Sequence, residues 1–162
     1  MAKKQQVCKI IEDYFKNNDY TYNINSNEET DVWDLVTGFK DSVNEEETVG
    51  MIISVYEDCV ICTSIASKNF NKNKVDEISE FLMRVNDVLK RGCFIVDYDH
   101  NSEISLRMWA STKGKTTESD INYLVNVSLG SITLVLPWVS KISDGEISVR
   151  KAFSGYKEVV EQ

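Results

Sequence analysis

Between Ile121 and Val139, apolar side chains recur at helical spacing on more than one stripe. Ile121, Leu124, Val125, Ser128, Leu129, Ile132, Val135, Leu136 and Val139 define a long inner face, and Val127, Leu134 and Trp138 stand beside it. A helix this apolar is either enclosed by the rest of the chain or forms an interface, so the other elements are read as its packing partners. Thr117 and Asp120 form a capping box at its start, with aspartate in place of the usual Glu or Gln. Pro137 has no amide N–H to donate and is expected to kink or end the helix.

The remaining elements follow from changes of hydrophobic period. Val7, Ile10, Ile11, Tyr14 and Phe15 mark an amphipathic helix over 4–17, and Asn17-Asn18-Asp19 ends it. The polar stretch from Asn23 to Asp31 reads as loop or a weak first strand. From Val32 the period becomes two, with Trp33, Leu35 and Phe39 on one face. Val49, Met51, Ile53 and Val55 line a second strand, Glu57-Asp58 reverses the chain, and Cys59 to Ala66 returns as a third. Val75, Ile78, Leu82, Val85 and Leu89 predict a helix, with Asn73 as its N-cap, Asp76 at N3 and Lys90-Arg91-Gly92 closing it. A hairpin follows, Cys93 to Tyr98 and Glu103 to Ala110, around a turn at 99–102. Ser143 or Asp144 is expected to cap a last helix through Val160. The predicted order is α-βββ-α-ββ-α-α: a single α+β domain over 1–162, with an antiparallel five-stranded sheet and helices packed around it.

Composition narrows the function. Lys plus Arg number 18 against 26 Asp plus Glu, a net charge of −8, which disfavours nucleic acid and anionic membrane as partners. The acidic surplus gathers at 28–31 and 45–47, and the three glutamates of the latter read as a solvated loop tip rather than a cation site. His100 is the only histidine, so a Ser-His-Asp or Cys-His set would have to use it, and its Asp99-His100-Asn101-Ser102 setting reads as a turn. Four cysteines occur, and Cys59 and Cys62 form C-x-x-C on a predicted strand, where positions three apart point to opposite faces, so the pair is read as buried free thiols. No phosphate-binding glycine motif is present. No catalytic residue, metal ligand or cofactor is assigned. Free thiols, no signal-like apolar stretch and no run longer than Ile132–Trp138 point to the cytoplasm.

Three segments, Phe81-Leu-Met-Arg-Val-Asn86, Gly92-Cys-Phe-Ile-Val-Asp97 and Ile104-Ser-Leu-Arg107, resemble the YbjN family of bacterial sensory-transduction regulators. That resemblance implies a type III secretion chaperone-like fold and brings no catalytic residues with it. Asn86 is expected to bond a neighbouring strand edge or loop, and Arg107 to lie on a polar sheet face, paired with Asp97 across the hairpin. The expected function is non-enzymatic: a regulatory or chaperone-like module contacting protein partners, with a homodimer through Val127, Leu134 and Trp138. The alternative is a small-molecule or cation site between sheet and helices, lined by Trp33, Tyr56, Met108 and Trp109. A carboxylate-only enzyme is the least favoured reading.

Overall fold

Strand alternation and helical stripes each require a partner surface, and here they find one another on a single side of one sheet. The computed structural model describes residues 2–27, 31–40, 48–66, 70–98 and 103–161. Within them lie α1 (Ala2–Asn17), β1 (Asn23–Asn27), β2 (Val32–Lys40), β3 (Thr48–Val55), β4 (Cys59–Ala66), α2 (Val75–Val88), β5 (Cys93–Asp97), β6 (Glu103–Ser111), α3 (Glu118–Ser143) and α4 (Val149–Val160). The strands form one antiparallel sheet in the order β1-β2-β3-β4-β6-β5. The fold is α+β, with six strands where the sequence pattern gave five.

The additional strand is β1, at the sheet edge. Its sequence, Asn-Ile-Asn-Ser-Asn, has no burial signal, and Ile24 is exposed. Backbone pairing with β2, from Asn23 opposite Val36 to Asn27 opposite Val32, makes it a strand. An edge-to-face cluster of Tyr14, Phe15, Tyr20, Tyr22 and Phe39 holds the preceding connection against α1.

One face of the sheet carries the core. Leu35, Met51, Ile53, Val55, Cys62, Leu106 and Met108 are among its buried side chains. Onto them α3 lies across β4 and β6, α1 rests against α3 and β3, and α2 packs beside β5, α3 and α4. Inside this core the hydroxyls of Ser64 on β4 and Ser128 on α3 share a buried hydrogen bond of 2.7 Å, which fixes the register of helix on strand. By length and composition α3 would pass for a membrane span, yet ten of its residues are buried within the fold.

Several caps differ from expectation. The Thr117–Asp120 box forms as read, with the Thr117 amide donating to Asp120 at 2.8 Å. Asn73 is not the N-cap of α2. Asn71 caps a single 3-10 turn, Lys72–Lys74, and α2 follows without a side-chain cap. The last helix is capped by Ser148, while Asp144 closes α3. Pro137 does not end α3, because burial of Val139 and Ile142 beyond it offsets the lost backbone bond.

The resembling segments have defined structural duties. Phe94 on edge strand β5 donates its amide to Asn86 Oδ1 at 2.7 Å, and Asn86 Nδ2 donates back to the Phe94 carbonyl at 3.1 Å. Asn86 thus covers an open backbone position of the edge, as expected. Gly92 turns the chain into β5 at φ +88°, where a side chain would meet Met108 and the Arg107 carbonyl.

Two glycines test the packing of α3 and α4. A Cβ at Gly130 meets nothing, whereas one at Gly155 would run into the Trp138 ring. Gly130→Ala is expected to stabilise by about 1 kcal/mol through helix propensity. Gly155→Ala is expected to destabilise by about 1–3 kcal/mol despite the same propensity gain. Urea unfolding of the two variants would show opposite shifts in midpoint.

Candidate interaction surfaces

The side of α3 turned away from the sheet is flanked by the C-terminal ends of α2 and α4. Between them runs a groove of about 420 Å3. Val127 and Leu134, two of the three residues singled out in the sequence, form its floor, half-buried against the core. Val88 of α2 and Val160 of α4 form its walls, each more than two-fifths exposed. Its rim is basic. Lys90, Arg91 and Lys157 border it, and the Arg91 guanidinium stacks 5.5 Å above the Tyr123 ring. Lys157 pairs with Glu161 at 3.4 Å, while among the described residues neither Lys90 nor Arg91 meets a carboxylate.

Trp138, the third residue, is placed elsewhere. Its ring packs onto Gly155 of α4, with Lys141 Nζ 5.3 Å above it. The apolar surplus of α3 is therefore divided between the α3–α4 joint and the groove.

A second surface escaped the sequence reading. The sheet face opposite the helices was expected to be polar, and it is not. It carries Val36, Ile52, Ile61, Ile65, Ile95 and Trp109, the last 59% exposed. The signal was present in β4, whose two alternating sets, Val60-Cys62-Ser64-Ala66 and Cys59-Ile61-Thr63-Ile65, are both largely apolar. On this face an oxygen of Asp34 is shut off from water with no hydrogen-bond partner among the described residues. Arg107 does point outward, but it stands opposite Cys93 while Asp97 stands opposite Glu103. The expected pairing of Arg107 with Asp97 is thus four residues out of register, about 13 Å along the strand.

The aromatic set proposed for a small-molecule pocket does not converge. Met108 is a core residue, Trp109 and Tyr56 lie on the outer sheet face, and Trp33 lines a cavity of about 710 Å3 beside α1. There Lys4 reaches both the backbone carbonyl and the carboxylate of Asp31, the latter at 2.8 Å. This contact holds the Asp31 carboxyl below its usual range. No group of three His, Cys, Asp or Glu side chains positioned for a metal occurs among the described residues. His100, the 99–102 turn and the acidic tip at 45–47 lie outside them.

The four cysteines are unpaired, and Cys59 and Cys62 take opposite faces as expected. Cys62 is fully buried as expected, whereas Cys59, like Cys8 and Cys93, is half-buried, which corrects the reading of Cys59 as a core thiol. No family model matches the chain, and no curated protein matches it.

Burial pushes the Cys62 thiol from 9.0 up to about 12, against a smaller opposing effect of Ser128 and Ser64. The folded state thus keeps Cys62 neutral at a pH where the unfolded chain ionises it. This contribution to stability is intact below pH 9 and declines between about pH 9 and 12, by up to about 1.4 kcal/mol per unit. Denaturation of the native protein and of Cys62→Ala across that range is expected to show a shallower decline in the variant. Equal slopes would contradict the assignment.

Proposed function

We propose that this chain is a non-enzymatic regulatory or chaperone-like module that docks a segment of a partner protein in the groove between α2, α3 and α4. The observation that carries the reading is the combination of an apolar floor, Val127 and Leu134, with the rim cations Lys90 and Arg91, in a chain of net charge −8. Apolar area supplies attraction in such a site, and the rim selects the partner by charge. From Tyr123 to Leu134 the floor runs about 16 Å along α3, enough for about three turns of a docked helix. The fitting segment is an amphipathic helix with apolar residues at i, i+3, i+4 and i+7 and carboxylates on its flanks.

Membership of the YbjN family and a type III secretion chaperone-like fold belong to the same proposal. They are supported by the resembling segments, in which Asn86 covers the β5 edge and Gly92 makes the left-handed entry to it. Four unpaired thiols fit a reducing cytoplasm, and the acidic balance fits neither nucleic acid nor anionic lipid as partner. A second reading, small-molecule binding, is favoured by the cavity beside Trp33 and Lys4; stabilisation by a metabolite that Trp33→Ala abolishes would support it.

NMR titration with synthetic amphipathic peptides tests the docking directly. A glutamate-flanked helix is expected to shift Val127, Leu134 and Val160, and to bind at least about tenfold more weakly to the Lys90→Glu, Arg91→Glu double variant. Equal binding of a lysine-flanked peptide, or shifts confined to other surfaces, would defeat the proposal.

A further inference from the structure

On α1, Lys4, Cys8 and Glu12 stand four residues apart and share one stripe of the helix, beside its core face. This stripe lines the cavity of about 710 Å3 at the entry to β2. A volume of that order falls within the roughly 300–1,000 Å3 of ordinary small-molecule sites. We propose that the cavity binds a small aromatic carboxylate, with its ring on Trp33 and its carboxylate on the ammonium of Lys4. The proposal rests on the second reading above, that this cavity takes a small molecule, and names the chemical class.

The apolar part of the site follows from the strand register. Trp33 has the buried Val55 as its neighbour on β3 and the small, exposed Ser26 as its neighbour on β1. One flank of the indole is therefore packed and the other is left uncovered towards the cavity. Val32 and Cys8, both half-buried, extend this wall. A flat ring set against such a flank gains aromatic contact beyond the area it buries.

Burial decides the sign of the charge. Lys4 is the most enclosed charged side chain of the cavity, 14% exposed, whereas the Asp31 side chain that pairs with it is 87% exposed. An ammonium has three hydrogens to donate, and Lys4 gives two of them to the backbone carbonyl and carboxylate of Asp31, leaving one for a ligand. Glu12 lies about 12 Å away along α1 and is answered by Lys16 at 3.3 Å, so the enclosed carboxylate is already neutralised. Lys9 and Glu57 are exposed at the rim. Burial raises the Cys8 thiol and Lys4 opposes the effect, which sets the ammonium close to the same wall and leaves the sulfur neutral. The net charge of −8 opposes an anion at long range, but salt screens beyond about 8–10 Å, and the nearest enclosed charge is the cation.

Indole-3-acetate, indole-3-acetamide and tryptamine carry one ring system with negative, neutral and positive side chains, and serve as probes. NMR titration of the full chain follows the Trp33 indole N–H. The acetate is expected to shift it and to bind at least about tenfold more tightly than the amide, with tryptamine weakest. Lys4→Gln is expected to erase the difference between acetate and amide. Asp31→Asn is expected to tighten the acetate about two- to fivefold, because it removes the competing carboxylate while leaving the backbone contact to Lys4. Circular dichroism checks that both variants fold. Equal binding of acetate and amide, tightest binding of tryptamine, or weaker acetate binding by Asp31→Asn would overturn the proposal while keeping the cavity as a small-molecule site. No shift at Trp33 with any probe at about 5 mM would overturn both.

Discussion

The docking of α3 along β4 and β6 is the constraint on which the rest of the molecule depends. Ile121, Val125, Ile132, Val135 and Val139 are almost wholly removed from water there, each contributing about 1.5–3 kcal/mol by area. Apolar contact alone would let a helix slide along a sheet. The buried Ser64–Ser128 hydrogen bond sets its position, because a shift of one turn would leave both hydroxyls without a partner in the core. With α3 fixed, α1 fits on one side of it, and α2 and α4 on the other.

This arrangement makes the molecule one-sided. Every helix lies on the same face of the sheet, so the opposite face meets solvent with a row of isoleucines and Trp109. It also leaves α3 incompletely covered where α2 and α4 diverge, and Val127 and Leu134 show in the gap. Both surfaces follow from how few elements the chain has to cover its apolar residues. They differ in electrostatics: the groove is bordered by Lys90 and Arg91, which meet no carboxylate among the described residues, and by the Lys157–Glu161 pair, whereas the sheet face carries both signs, Arg107 and Glu103 among them.

Much of the fold was legible in the sequence, for identifiable reasons. α1, α2 and α3 have stripes of the right period, β3 and β4 alternate, and the Thr117–Asp120 box and Asn86 have side chains whose local bonding follows from their chemistry. β1 was not legible as a full strand because backbone pairing, which leaves no trace in side-chain pattern, makes it one. Asn71 displaced Asn73 because a 3-10 turn precedes α2, and a two-residue shift of that kind is decided by the Asn71 amide donating to Ser143 across the fold. Trp138 was read as an anchor because the pattern gives a residue's face but not what covers it, and Gly155 of α4 makes room for its ring. The outer sheet face was missed because a strand apolar on both sides reads the same whether one or two layers cover it.

The central claim is that the helices enclose one face of the sheet and leave the other apolar and open to solvent. A soluble paramagnetic agent added to dilute protein with labelled isoleucine methyls tests it most directly. The methyls of Ile52, Ile61, Ile65 and Ile95 are predicted to broaden strongly, while those of Ile53, Ile104, Ile121 and Ile132 stay sharp. Equal protection of the two sets in dilute solution would contradict the account.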